Sequence, residues 1–243
     1  MILAFFALLF TSFINILAPL PGIQAIGLLS IITTPEKAVA LAAFYFFISA
    51  CIRIVLFRKD IIWSEAKKLI PLSAVGAMIG AASLFRISET TLLVIIACFS
   101  IYFLGEKISS LRHKKITLKK ENKMTASATG LFSGFLQGAG FSGSDLRNNY
   151  FYAQGFSLSN VQGTTAVLGA LNFFLATIIR LMWGGLKIPD LTPIFFLAPF
   201  MFIVAFGGRL VVKKIERKWG NIIAILVMST TLLFILYKIF FLN

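Results

Sequence analysis

The sequence predicts an all-α membrane protein made of two inverted repeats of transmembrane helices. Each repeat is expected to open with a helix element that is broken at glycine or proline. Three observations predict this fold: an apolar composition, basic residues confined to short stretches between long apolar runs, and an internal repeat. Each broken element is expected to be either a re-entrant hairpin or a pair of short crossings.

The composition indicates a protein whose solvent is lipid. Of the 243 residues, 58% are hydrophobic and only 13% are charged. A soluble domain is typically about one quarter charged. Because so few polar groups cannot cover the surface of a chain of this length in water, we expect most of that surface to face hydrocarbon.

The positive charge is distributed in the pattern of a membrane protein. A net charge of +14 in a soluble protein would suggest nucleic acid as a partner. Here the basic residues concentrate in residues 58–68, 107–123 and 213–218, between apolar runs. Basic loops of this kind stay in the cytoplasm and face anionic headgroups. The pattern predicts a multi-pass protein of the cytoplasmic membrane and no nucleic-acid partner.

Six apolar segments are long enough, or nearly so, to cross a ~30 Å hydrocarbon core as helices. They are residues 38–57, 69–85, 90–105, 158–183, 191–212 and 219–241. Two further apolar regions are interrupted: residues 2–33 by Pro19 and Pro21, and residues 125–153 by Gly138, Gly140 and Gly143. Broken helices are tolerated at membrane depth only where the freed backbone is buried or lines a wet cavity.

An internal repeat divides the chain into halves. Residues 10–15 match residues 132–137, and residues 46–53 match residues 173–180. The interpretation is a first transmembrane repeat at 1–105, a basic cytoplasmic linker at 106–124, and a second repeat at 125–243.

The basic stretches also predict the topology. All three can be cytoplasmic only if the broken region 125–153 enters and leaves on the same side. Its first arm, residues 125–139, would be about 22 Å long as a helix, which is too short to cross. The repeat implies the same for residues 2–33, so that the halves lie inverted and both termini are non-cytoplasmic. The alternative is eight simple crossings, with residues 213–218 as an exception to the charge rule.

The second break is the strongest candidate for a binding site. Its glycines allow close backbone approach, and the freed N–H groups of a half-helix favour an anion. Arg147 adds a permanent charge with planar geometry suited to an oxoanion. Ionisable residues at membrane depth are costly and therefore typically functional. The polar residues of this break are predicted to bind substrate: Ser142, Ser144, Asp145, Arg147, Asn148 and Asn149. The alternative is that Asp145 and Arg147 pair with each other and cap the half-helix.

Further candidates come from the matched positions of the two halves. Asn15 in the first half matches Gln137 in the second, so two carboxamides could line one cavity, although helix–helix contacts are an equal alternative. Arg53 matches Arg180. For these two we favour snorkelling to the membrane interface over the alternative of a vestibule charge that attracts an anion. The remaining candidates for substrate contact are Gln24, Thr164 and Thr165.

The chain resembles the sulfite exporter TauE/SafE family over nearly its whole length. The features that carry the resemblance are a glycine-rich broken helix that opens each half, a short Ala- or Thr-rich helix start after it, an arginine near the end of that helix, a short hydrophilic turn, and a glycine-containing third helix. They are found here at residues 130–143, 36–40, 159–165, Arg53, Arg180, residues 61–63, 188–190, 79–81 and 206–209. One departure is that Asp145, Arg147, Asn148 and Asn149 stand where the family has apolar residues and a proline. The resemblance implies transport of sulfite, a sulfonate or a related small organic anion.

Taken together, these patterns predict a secondary transporter, and an exporter in particular, of a small anion. No nucleotide-binding motif is present, and no cofactor is expected. A coupling ion would be either a proton, with Asp145 as the titrating group, or sodium bound by backbone carbonyls. A membrane scaffold or assembly protein is the alternative. An intramembrane enzyme is disfavoured, since the single histidine, His113, lies in a basic loop and neither Cys51 nor Cys98 has a motif partner.

Overall fold

The computed structural model describes most of the chain between residues 33 and 212. The described residues are 33–84, 87–112, 123–141 and 143–212, with positions 26, 29, 222, 225–226, 229–230, 232–233 and 236–237. The first broken region, the centre of the basic linker, residues 213–218 and most of the last predicted span lie outside them.

Every regular element in the described ranges is a helix. In chain order they are α1 (Pro35–Leu56), α2 (Trp63–Ser83), α3 (Glu89–Arg112), α4 (Lys123–Gly138), α5 (Ser144–Ala153), α6 (Leu158–Met182) and α7 (Ile188–Val212). Three of the helical stretches are long and apolar enough to cross a membrane: Glu36–Leu56, Leu158–Met182 and Ile188–Leu210. They indicate an integral membrane protein.

Local sequence explains where the two central helices begin. The Thr34 side chain accepts a hydrogen bond from the Lys37 backbone N–H, and Pro35 occupies the first turn of α1. The Ser157 side chain likewise accepts from the Asn160 backbone N–H at the start of α6. Both are standard N-caps, which satisfy backbone donors that the helix itself leaves free.

Helices α1 and α6 pack against each other in an antiparallel pair at the centre of the bundle. Phe46 stacks on Phe173 with ring centroids 5.2 Å apart. Further along α1, Ala50 faces Gly169, and Phe57 faces Gly163 near the start of α6. Residues near the end of α1 contact residues near the start of α6. The two helices therefore run in opposite directions.

Helices α2 and α4 are parallel and touch through their backbones. A Cβ atom added at Gly134 would collide with the backbone carbonyl of Ser73, and one added at Gly138 would collide with that of Ala77. The reverse contact occurs at Gly76, whose Cβ would meet the carbonyl of Leu131. The small-residue spacing therefore permits close packing, as the sequence predicts. We call this contact the glycine seam.

Helix α5 folds back along α4. Tyr150 and Phe151 of α5 pack in one cluster with Ala126, which lies in the first turn of α4. The chain then enters α6, whose Asn160 side chain donates a hydrogen bond of 2.9 Å to the carbonyl of Asp60 in the α1–α2 loop. Helices α4 and α6 consequently both begin at the end of the bundle that carries this loop.

Helix α7 runs parallel to α1. At one end Lys37 forms an ion pair with Asp190 at 2.7 Å, and further along Phe44 packs edge-on against Phe195. At the other end Arg209 lies over the Phe57 ring at 5.4 Å. Helix α7 thus ends at the same end of the bundle as the α1–α2 loop.

Several helices extend beyond the predicted apolar segments, most of all at the start of α2 and at the end of α3, which reaches Arg112, seven residues past the predicted 105. Helix α2 begins at Trp63, six residues before the apolar segment predicted at 69. Its first turns contain Glu65, Lys67 and Lys68, which are polar but are good helix formers. Apolar runs mark the part of a helix that suits hydrocarbon, and the helix itself extends beyond it.

Candidate functional site

The turn between α4 and α5 lies inside the helix bundle. Helix α4 ends in a Schellman motif, in which the Phe141 N–H donates to the Leu136 carbonyl at 2.7 Å and the Gly140 N–H donates to the Gln137 carbonyl at 3.0 Å. Gly140 has a φ of +86°, which only glycine adopts without strain. A Cβ atom at Gly140 would also collide with Val39 of α1. We call residues 138–143 the hairpin tip.

The hairpin tip directs α5 against α4. A Cβ atom at Gly143 would collide with the backbone carbonyl of Ser133, so the first turn of α5 lies directly on α4. This approach places Arg147 opposite Gln137 and buries its side chain completely. Arg147 can occupy this position only because residue 143 is a glycine, which has no Cβ atom to collide with α4.

Four buried polar side chains meet at the middle of the bundle. Gln137 Oε1 accepts hydrogen bonds of 2.7 Å from Arg147 Nη1 and 2.7 Å from Asn172 Nδ2. Asn172 Nδ2 also donates to Ser73 Oγ at 2.8 Å. Ser73 is the eleventh residue of the 21-residue helix α2, so this polar network lies near the middle of that helix.

The carboxamide of Asn172 has two orientations that suit different partners. In the one above it donates to Gln137. Rotated by half a turn, it would present its oxygen to Arg147 Nη1 at 3.1 Å and lose that donation. The side chain can thus serve as donor or acceptor next to the guanidinium.

Charge is concentrated around this network. Arg53 of α1 is half-buried, and its Nη1 donates to Gln162 Oε1 at 3.4 Å. Arg53 and the buried Asp145 are both close enough to Arg147 to act on its charge, the first by repulsion and the second by attraction. Two guanidinium groups that repel each other in a buried setting favour an anion between or beside them.

Arg180 forms a separate contact at the hairpin tip. Its side chain is buried, and Nη2 donates to the Gly138 carbonyl at 2.6 Å. Arg180 also lines a cavity of about 390 Å³ together with residues of the α1 start and the α6 end, among them Thr34, Ala40 and Trp183. The guanidinium does not snorkel to the interface, so the favoured sequence interpretation of Arg180 is wrong.

Several buried donors in the described part of the chain have no hydrogen-bond partner. They are Arg147 Nε, Arg53 Nε, Arg180 Nη1, Asn148 Nδ2 and Gln154 Nε2, and one carboxylate oxygen, Glu65 Oε2, is in the same condition. A buried donor that lacks a partner is costly unless a ligand or water satisfies it. Three of the five donors belong to cations, so the arrangement is suited to an acceptor-rich anion. The described residues include no group of three or more His, Cys, Asp or Glu side chains that could hold a metal ion.

Comparison with protein families identifies the chain. The family model described as sulfite exporter TauE/SafE matches residues 4–235, which is nearly the whole sequence. The chain belongs to this family. TauE/SafE proteins are membrane transporters of sulfite- and sulfonate-type anions. Searches among curated proteins and among solved structures gave no match.

In this TauE/SafE protein the residues predicted from the second break are only partly brought together. Gln137, Asp145, Arg147 and Asn148 are buried near one another, whereas Ser144 is half-buried and Asn149 is exposed. Asn15, Gln24 and Ser142 lie outside the described residues.

The two predicted threonines of α6 are buried but already engaged. Thr164 Oγ1 accepts from the Ile62 backbone N–H at 3.0 Å, which holds the start of α2. Thr165 Oγ1 donates to the Val161 carbonyl within its own helix at 2.6 Å. Both contacts are structural, and an anion would have to compete with them.

Sequence reasoning missed Ser73 and Asn172, which complete the network around Gln137. Asn172 is a single carboxamide in the middle of the most central apolar helix, and Ser73 occupies the same depth of α2. The signal was present, because an isolated polar residue at the centre of a spanning helix requires a partner.

Proposed function

We propose that the chain is a secondary transporter of the cytoplasmic membrane that exports a small oxoanion of the sulfite or sulfonate class, with Arg147 as the central binding residue. One observation carries the proposal. A fully buried guanidinium lies near the middle of the bundle, is hydrogen-bonded to the neutral oxygen of Gln137, and retains an Nε donor without a partner.

The donors around Arg147 suit an oxoanion. A planar guanidinium can present two parallel N–H groups to two oxygens of a sulfite or sulfonate group. The Nδ2 atom of Asn148, which has no partner, supplies a neutral donor next to Arg147 in the chain. We therefore place the anion against Arg147, with Gln137 and Asn172 fixing the orientation of the guanidinium.

The contacts within the α1–α6 pair support an inverted repeat. Phe46 and Phe173 are matched positions of the two halves, and so are Phe47 and Phe174. Each of these residues packs on its own counterpart, at 5.2 Å and 5.5 Å between ring centroids. Matched residues meet in this way across antiparallel helices when a twofold axis passes between them at right angles to the helices. Such an axis would lie in the membrane plane, as in inverted-topology transporters.

The charge distribution supports the orientation. Arg58, Lys59, Lys67 and Lys68 lie at the end of the bundle where α4 and α6 begin and α7 ends. With this end in the cytoplasm, helices α4 and α5 form a re-entrant hairpin that enters from the cytoplasmic side. Its arms, of 16 and 10 residues, would be about 24 and 15 Å long, too short for a ~30 Å core.

Two coupling ions are compatible with this site. Asp145 is buried and acts electrostatically on Arg147, so proton uptake by its carboxylate would change the charge next to the anion. Carbonyl oxygens at the hairpin tip offer the kind of ligands that sodium prefers. An imposed proton gradient and an imposed sodium gradient, each applied alone, distinguish these two mechanisms.

The test is anion flux in proteoliposomes that contain the purified chain. We expect saturable uptake of radiolabelled sulfite that taurine or another sulfonate inhibits, and that one of the two gradients accelerates. Empty liposomes and liposomes with the Arg147→Ala variant are the controls. A scaffold protein would give no flux above these controls for any anion of the class, and that result would overturn the proposal.

A further inference from the structure

The cavity beside Arg180 is not part of the polar network around Arg147. It is lined by the start of α1, the end of α6 and the end of α2, including Thr34, Lys37, Leu84 and Trp183. The α1–α2 loop lies at the opposite end of the bundle. In the proposed orientation the cavity therefore belongs to the non-cytoplasmic half of the protein.

The hairpin tip separates the cavity from Arg147. Gly138 binds Arg180 through its carbonyl, and Gly140 lies against Val39, which also lines the cavity. Gln137, one residue before the tip, binds Arg147. An anion that travels between the membrane centre and the outside must therefore pass the tip at Arg180.

Arg180 is poorly compensated for a buried cation. It is 2% exposed, it donates one hydrogen bond to a neutral carbonyl, and its Nη1 has no partner. The other cation of the cavity, Lys37, is paired with Asp190. The cavity is also lined by the carboxylate Glu36, which is exposed, so Arg180 is the one buried charge among its lining residues. The volume of about 390 Å³ is ample for an ion of a few atoms.

We propose that this cavity is a second oxoanion site, centred on Arg180, at which the transported anion binds on the outer side of the hairpin tip. The proposal rests on the proposed transport function. The ligand class is a small oxoanion with two or more acceptor oxygens, such as sulfite or sulfate. A phospholipid headgroup presents the same chemistry, and the experiment separates the two sources.

The experiment measures the electrostatic potential and the occupancy of the cavity at one introduced thiol. Cys51 and Cys98 are replaced by alanine and Ala40, which lines the cavity, by cysteine. The full chain in nanodiscs is treated with anionic sulfonatoethyl or cationic trimethylammonioethyl methanethiosulfonate. The ratio of the two rates reports the local charge, and sulfate added over a range of concentrations reports binding.

We expect the anionic reagent to react faster, and sulfate to slow the reaction with saturation. Arg180→Gln should lower the rate ratio about tenfold, since one unit charge a few ångströms away is removed, and should abolish protection by sulfate. Lys187→Gln is the matched control. It removes the same charge from an exposed position three residues before Asp190, where solvent screens it, and should leave both readouts unchanged.

Two outcomes contradict the proposal: a rate ratio unaffected by Arg180→Gln, and sulfate protection that persists in that variant. The thiol could also be protected only in nanodiscs that contain anionic lipid, with no further protection when sulfate is added. That result would assign the site to a lipid headgroup and would also contradict the proposal. Should Arg180→Gln fail to fold, Arg180→Lys retains the charge, and we expect sulfate affinity to fall several-fold because the planar fork is lost. Unchanged affinity in this variant would contradict the site.

Failure of this site and failure of the transport function are distinguishable. Arg147→Gln in the same background should abolish sulfite flux and leave the reaction at the introduced thiol unchanged. Full flux in wild type together with no protection of the thiol by sulfate would contradict the second site alone. Protection of the thiol by sulfate without any flux would contradict the transport function alone.

Discussion

Arg147 carries the proposed binding site, and its substitutions test that role directly. Arg147→Lys should reduce anion flux about tenfold or more, since a point charge replaces bidentate geometry. Arg147→Ala should nearly abolish flux while the protein remains folded, because the lost partners are neutral and can rearrange. Flux in proteoliposomes and folded yield by size exclusion are the measurements, with the exposed Arg58→Ala as the control.

The alternative at the residue scale is a structural pair between Arg147 and Asp145. In that case each single neutral variant would be unstable, because one buried charge would lose its partner. The double variant Arg147→Gln with Asp145→Asn would then recover both folding and flux. Full flux in the double variant would exclude Arg147 from the substrate site.

Asn172 offers a second test in which stability and transport should change in opposite directions. Asn172→Asp would place a carboxylate about 3 Å from Arg147 Nη1, so that the site carries its own anion. We expect this variant to be at least as stable as wild type and to lose sulfite flux. Asn172→Ala should be less stable but should retain more flux than Asn172→Asp. Thermal unfolding and flux of both variants check this, and equal flux would contradict it.

At the scale of elements, the glycine seam fixes the position of the hairpin on which Arg147 lies. Gly134→Ala would push a methyl group into the Ser73 carbonyl, which is backbone and cannot move aside. We expect destabilisation at the upper end of the roughly 1–3 kcal/mol that is typical of overpacking. Gly105→Ala is the matched control, because nothing lies within 4 Å of a Cβ atom there. Thermal unfolding of both variants is the measurement, and similar midpoints would show that the seam is looser than described.

Glycine spacing and the length of the apolar runs predicted these helices from the sequence. The sequence did not predict which helices contact each other, because that depends on the tertiary structure. Gly130, Gly134 and Gly138 lie on one helix face, which indicates close packing but does not name the partner helix. The same limit applies to Arg180, whose position near a helix end is equally compatible with the interface and with the hairpin tip. Only the fold brings Gly138 to it.

For the whole molecule, the orientation of the halves remains a prediction that fusion reporters can check. A reporter after Asn243 should be non-cytoplasmic, and one inserted within residues 113–122 should be cytoplasmic, since the basic residues 58–68 and 107–123 belong to one side. Alkaline phosphatase and a fluorescent protein, active on opposite sides, provide the measurement. A cytoplasmic C-terminus would refute the inverted arrangement.

The central network was accessible from the sequence only in part, for a physical reason. Gln137 directly precedes Gly138, Arg147 follows Gly143 by four residues, and a charge at membrane depth is unusual enough to be noticed. Ser73 and Asn172 are single polar residues in apolar helices, a pattern that ordinary helix–helix hydrogen bonds also produce. Their role depends on three helices meeting at one depth, and no local pattern encodes that meeting.

The glycine seam also limits where this molecule can bend. Side chains that interlock can change rotamer and let one helix slide past another, but carbonyls lodged against glycine Cα atoms have no such freedom. Helices α2 and α4 are thus expected to travel as one body, taking Ser73 and Gln137 with them. Asn172 lies on α6, which is not part of this body. The boundary between the two moving parts would therefore pass through the polar network. Each turnover would break and remake the hydrogen bond between Asn172 and Ser73, which forms in either orientation of the carboxamide. Its strength would help to set the rate of the cycle.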